Sequence, residues 1–342
     1  MFKDKTVFVI GAGASHEFGL PIGAGLTQRI KTNCDFDAHR ADGPAANAMR
    51  RHFKRLGSKD TLEQSRQTQA RVDACHQIRD GIESADSIDE YIFRYADKPL
   101  IAEMGKLQIA YAISNAENES TLSVKSGFRE ERSRADNTWI WAFTKSLISG
   151  VKAADVKKIG RNITIICFNY DRCIEHYLEH ALCRSFHGMT EEEARSIVNN
   201  IQIIHPYGTL GDLERFPFGN HDQFAQMAEN LVTWSETIKD PEIVNDISRA
   251  IRFARRIVFM GFAFANQNMQ LLNSKPTELN YNGPRVYSTA FKIPRENEES
   301  LSLMINALYS TGVVDNQLDN IHFQYDAKCK EFFDIHRLNL VA

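Results

Sequence analysis

Hydrophobic residues are distributed along the chain in two distinct patterns. Thr6-Val7-Phe8-Val9-Ile10 is a continuous apolar, β-branched run that stops at Gly11. Such a run suits a parallel strand buried on both faces. Runs of the same kind recur at Ile163–Cys167, Ile201–Ile204, Arg256–Met260 and Arg285–Tyr287, with a further strand candidate at Ile321–Phe323. Helical spacing separates most of them, which predicts a doubly wound, mainly parallel, Rossmann-like α/β sheet with crossover helices.

The second pattern fills 33–158. Polar and charged residues dominate there, strand signals nearly vanish, and apolar residues recur at helical spacing, as at Ile88, Ile92 and Tyr95. Gln64–Arg79 reads as helix, and Trp139, Trp141, Phe143 and Leu147 mark an amphipathic one. The expected organisation is an α/β core from 1–32 and 159–342, split by a mostly helical insertion at 33–158. A mobile stretch is expected near 115–126.

Composition changes this picture little. The 342 residues are 43% hydrophobic and carry a net charge of −3. That charge provides no global attraction to nucleic acid or to an anionic membrane. Arg50, Arg51, Lys54 and Arg55 form a basic helical face, which reads as solvated surface. No apolar run reaches the roughly 20 residues that span a bilayer. None of the six cysteines forms a C-x-x-C pair, so no zinc ribbon is expected. His176 and His180 share a helix face, but Glu179 is misplaced for H-E-x-x-H. Reduced thiols and a strand beginning almost at Met1 suggest a cytoplasmic protein.

The chemistry sits at the ends of the predicted strands. Gly11 and Gly13 follow the first, where glycine lets a backbone approach a pyrophosphate closely. The third glycine of G-x-G-x-x-G is replaced by His16, which disfavours a hydride-transferring dehydrogenase. Asn169 and Asp171 follow the second strand, and Asp171 also suits the cap of the helix after it.

The longer string Gly11-Ala12-Gly13-Ala14-Ser15-His16-Glu17-Phe18-Gly19-Leu20-Pro21 resembles the sirtuin opening G-A-G-x-S-x-x-x-G-[IL]-P. Phe168-Asn169-Tyr170-Asp171 is similar to the sirtuin T-Q-N-[IV]-D segment. Met260-Gly261-Phe262-Ala263-Phe264, with Asn268 downstream, is similar to a segment of bacterial sirtuin-like defence proteins. The resemblance spans about 5–32 and 160–290, and is to zinc-free antiphage NAD hydrolases. It implies that Gly11, Ala12, Gly13, Ser15, Pro21, Gly261, Phe262 and Asn268 bind NAD, with Asn169 and Asp171 at the nicotinamide ribose. It also implies cleavage of NAD to nicotinamide and ADP-ribose. Such activity is toxic unless restrained, so a homo-oligomer or a partner is expected to gate it, and a non-catalytic subunit would be expected beside an ATPase or nuclease.

The sequence departs from the family at the catalytic histidine, which normally precedes glycine. Here the order is His205-Pro206-Tyr207-Gly208. Three readings stay open: His205 serves as the base, His205 only packs near the strand end, or the site, with Tyr207 in the histidine's place, binds NAD or ADP-ribose without cleaving it. His187-Gly188 follows a helix and is set aside.

Overall fold

The computed structural model describes residues 2–37, 43–56, 60–123, 137–280, 282–313 and 317–341. Its six strands are β1 (Thr6–Ile10), β2 (Ile163–Cys167), β3 (Gln202–Ile204), β4 (Arg256–Met260), β5 (Arg285–Thr289) and β6 (Ile321–Gln324). They form one sheet in the order β3-β2-β1-β4-β5-β6, with every pairing parallel. Each strand expected from the sequence is present. The apolar runs explain their places: all five residues of β1 and of β4 are buried, whereas β3, at an edge, is half-exposed.

This order has a functional consequence. The chain builds outward from β1 to β3, then returns to the other side of β1 with β4 and builds outward again. The direction in which strands are added therefore reverses between β1 and β4, at the middle of the sheet. A crevice outside the carboxyl ends of the strands at such a switch point is where open α/β sheets bind ligands.

The chain divides into two compact units. The first comprises Met1–Gly19, Thr121–Pro206 and Thr237–Ala342 and contains the sheet. The second comprises Leu20–Ser120 and Tyr207–Glu236. These boundaries differ from the expected insertion at 33–158 at both ends. Phe143 gives the reason at the later one. It lies on the helix Trp139–Ile148, 5.2 Å from Phe8 of β1 and 5.7 Å from Phe2, ring centre to ring centre, in the sheet's own core. At the earlier boundary, the helix Gly23–Asn33 packs on the helices Thr61–Gly81 and Pro99–Glu119 of the second unit.

The second unit is mostly helical and centred on Pro99–Glu119. That helix buries Ile101, Met104, Leu107, Ile109, Ile113 and Ala116, a distribution that leaves no wide polar face. A helix apolar nearly all round belongs inside its unit. Gly105 allows Ile92 to approach, since a Cβ there would stand 2.6 Å from Ile92 Cδ1. The stretch expected to be mobile is helical through Glu119 and turn-like at 121–122; residues 124–126 lie outside the described residues. No helix among the described residues is long and apolar enough to cross a membrane.

Candidate functional site

The glycine loop begins where β1 ends. Gly11 N donates to Met260 O over 3.0 Å, and Gly13 N donates to Gly261 O over 2.9 Å. The loop after β1 thus lies directly against the loop after β4. A Cβ on Gly11 would stand 2.5 Å from Gly261 O, and one on Gly13 would stand 2.8 Å from Gly261 Cα. Gly261 adopts φ +58°, and its amide donates to Thr289 Oγ1 over 2.8 Å. The glycines are required first by this backbone-to-backbone approach. Ala14 N donates to Gly11 O, whereas no backbone carbonyl among the described residues accepts from Ala12.

The loop continues as one helical turn, Ala12–Ser15, and is anchored from outside. Trp139 Nε1 donates to Ala14 O over 2.9 Å. The Glu17 carboxylate accepts from the backbone amides of Trp139 and Lys330, each in the first turn of its own helix. First-turn amides lack helical partners, and a carboxylate suits them.

Asn169, on the loop after β2, reaches into the same structure. Its Nδ2 donates to Gly11 O over 3.1 Å and to Ser15 Oγ over 2.9 Å. Ser15 in turn donates to the Asp171 carboxylate, and Asp171 Oδ1 accepts from Cys173 N over 3.1 Å. Asp171 therefore does help start the helix Cys173–Ser185, although Arg172 occupies the cap position itself. Burial pushes the Asp171 carboxyl above its ordinary value, and the hydrogen bonds from Cys173 and Ser15 pull the other way. Ser15, Asn169 and Asp171 are all buried. The structure unites them in one polar network at the sheet's switch point.

His205 follows β3 immediately and lies beside Asn169. Its Nδ1 is 3.3 Å from the Asn169 carbonyl oxygen, and its Nε2 is 2.7 Å from Glu175 Oε1. The Cys167 thiol, at the end of β2, also bonds to the ring. Burial disfavours charge on His205, but Glu175 and, after it, Cys167 outweigh burial and hold the imidazole well above the ordinary histidine value. Burial likewise opposes charge on Glu175, and His205 outweighs it there, holding the carboxyl low. Burial pushes the Cys167 thiol up, and His205 beside it pulls the other way. Thr237 Oγ1 donates to Pro206 O over 2.6 Å and fixes the chain just after His205.

Sequence reasoning missed Glu175. The available signal was its place four residues after Asp171 and in the first turn of the following helix. Tyr207 and Pro21 both belong to the second unit. Tyr207 is buried there, and burial, followed by the charge of Asp89, raises its hydroxyl pKa.

Past Gly261, Phe262 joins Phe168, Phe259 and Phe264 in an aromatic cluster with ring centres 5.2–5.6 Å apart. This cluster stiffens the β4 loop from its apolar side. Asn268 lies on the short helix Asn266–Leu272. A cavity of about 300 Å³, lined by Lys5, Thr6, Asn162, Gln202, Arg249 and Phe253 among others, opens at the opposite, amino ends of the strands. It shares no residue with these loops. Among the described residues, no group of three or more His, Cys, Asp or Glu side chains could hold a metal ion. No family model and no curated protein matches the chain.

Proposed function

We propose that the crevice at the β1–β4 switch point binds NAD and that the protein cleaves its nicotinamide–ribose bond, releasing nicotinamide and ADP-ribose. The observation that carries this reading is the network joining Ser15, Asn169 and Asp171 to the glycine loop at that point. A dinucleotide needs a close backbone approach for its pyrophosphate and oriented polar groups for its ribose. The loop can offer the Ala12 amide to the pyrophosphate. With Nδ2 of Asn169 engaged, its Oδ1 remains an acceptor for a ribose hydroxyl or a water.

In the reaction the bond between ribose C1′ and the nicotinamide nitrogen breaks, and the electron pair leaves with nicotinamide. The ribose passes through an oxocarbenium-like state, which a water oxygen attacks at C1′ while releasing one proton to solvent. Nicotinamide leaves as a neutral molecule, so no acid is needed. The protein contributes orientation and a fixed electrostatic environment. A basic role for His205 requires one of its two ring nitrogens to leave its protein partner. Unrestrained NAD depletion would harm the cell that makes the protein. Assembly of copies, or a partner protein such as an ATPase or nuclease, would gate the activity in an antiphage setting.

The engagement of both His205 ring nitrogens favours a second reading, a subunit that binds NAD or ADP-ribose without cleaving it. Purified protein incubated with NAD separates the two when free nicotinamide is followed chromatographically beside Asn169→Ala. Release by the wild type and its loss in the variant support the hydrolase. NAD binding without release, in every assembly state obtained, supports the binding subunit. Absence of NAD binding overturns both.

A further inference from the structure

Glu175 is the residue on which the arrangement around His205 depends. The imidazole faces an acceptor at each nitrogen: a carboxylate oxygen at 2.7 Å from Nε2 and a carbonyl oxygen at 3.3 Å from Nδ1. A carbonyl oxygen can only accept, and an ionised carboxylate can only accept. Both contacts are satisfied together when both ring nitrogens carry protons. The side chains are largely withdrawn from water, at 11% exposure for His205 and 20% for Glu175, so water screens their attraction little. Glu175 Oε2 is buried, and no described residue forms a hydrogen bond with it. The carboxylate is therefore directed to the imidazole through one oxygen, without competition for the other.

We propose that Glu175 is a positioning residue of the crevice: its carboxylate fixes the orientation of His205 and keeps both ring nitrogens protonated. His205 then serves as an anchored cation that braces the backbone of Asn169, rather than as a proton acceptor. The other ionisable groups around the pair agree with this assignment. Cys167 on β2 favours the charged imidazole, and Arg172, at the start of the same helix, favours the ionised form of Glu175. Asp171, on the loop after β2, is engaged with Ser15 and Cys173. The proposal rests on this crevice being the functional site and is independent of which nucleotide it takes.

The direct test is nitrogen-15 NMR of histidine-labelled, full-length protein without nucleotide, titrated between pH 5 and 9 (roughly the span over which a shifted histidine changes charge). Wild-type His205, assigned with a His205→Asn control, should give the imidazolium signature at neutral pH. Glu175→Gln should lower its titration midpoint by about one pH unit or more. Glu175→Asp keeps the charge and should keep the ring protonated at neutral pH. A neutral wild-type ring at pH 7 overturns the proposal without any variant, and so does a midpoint unmoved in a folded Glu175→Gln protein.

Turnover of NAD supplies the second readout. Glu175→Gln should slow it roughly 10- to 100-fold, the scale on which losing the carboxylate that orients a metal-bound histidine is felt. The alkaline limb of its pH profile should move to lower pH, because the required imidazolium then loses its proton sooner. Movement of an acid limb instead would mean that neutral His205 is the working form and would overturn the assignment. If the wild type does not cleave NAD, the proposed hydrolase fails, while the titration still decides the role of Glu175.

Discussion

Asn169 donates a hydrogen bond of 2.9 Å to Ser15 Oγ across 154 residues of sequence, locking the loop after β2 to the loop after β1. Ser15 passes the connection on to Asp171. One small hydroxyl thus mediates between a carboxamide and a buried carboxylate, accepting from the first and donating to the second.

Ser15→Ala should accordingly disturb more than its size suggests. It leaves an Asn169 proton without its acceptor and removes one donor from Asp171, both in a buried setting. A cost of about 1–3 kcal/mol is expected, measurable as a lower urea midpoint at unchanged slope. A variant as stable as the wild type would mean that water replaces the hydroxyl and that the network is not closed.

The close approach of the β1 and β4 loops makes a second expectation. Gly261→Ala would place a Cβ 2.1 Å from Ala14 N, at φ +58°. Backbone on both sides has little room to move, so the variant should lose about 3 kcal/mol or more. Gly23→Ala is the contrasting case, because nothing lies within 4 Å of a Cβ there and the residue opens a helix. It should be neutral or stabilising by up to about 1 kcal/mol. Thermal unfolding of the two variants side by side checks the difference, and similar shifts would contradict the packing described.

His176 should control part of the acid stability. It is buried on the helix Cys173–Ser185, and its Nε2 donates to Leu122 O over 3.1 Å. Burial first, and then the charge of neighbouring His180, lower its pKa from 6.5 to about 3. A depressed histidine stabilises the fold above the unfolded value, and that contribution is lost as pH falls towards the folded one. Between pH 7 and 5 the unfolded state takes up the proton while the folded state does not, a loss of about 2 kcal/mol. His176→Phe should remove this part of the decline, seen as a smaller drop in melting temperature between those two pH values. An identical decline in both proteins would place the acid sensitivity elsewhere.

The pair Glu175–His205 acts over a different range. Raised His205 contributes stability that is complete below its unfolded value and disappears as pH rises through its folded value. Lowered Glu175 contributes above the ordinary carboxylate range and loses its contribution as pH falls through its folded value. The stability gap between wild type and Glu175→Gln should therefore be widest near neutrality and close in acid, where both proteins lack the charge. A gap independent of pH would point to lost packing alone.

The sequence alone determined the strands and the polar residues at their carboxyl ends. Apolar β-branched runs such as Val7–Ile10 and Ile257–Met260 suit one environment, the inside of a parallel sheet, and each became a buried strand. Asn169, Asp171 and His205 were legible because they directly follow such runs, and residues just past parallel strands must gather at the carboxyl end of the sheet.

Tertiary structure decided what those residues touch. The strand order put β4 beside β1, and with it Gly261 against Gly11 and Gly13, a partnership that local pattern does not encode. It also brought Glu175 to His205, 30 residues apart, where a helix-borne acid otherwise resembles any solvated glutamate. The division into units followed the same logic. Periodicity marks Trp139–Ile148 as a helix, but only the contact of Phe143 with Phe8 assigns it to the sheet. Local propensity acts over a few residues, whereas burial and pairing depend on which surfaces the folded chain brings together.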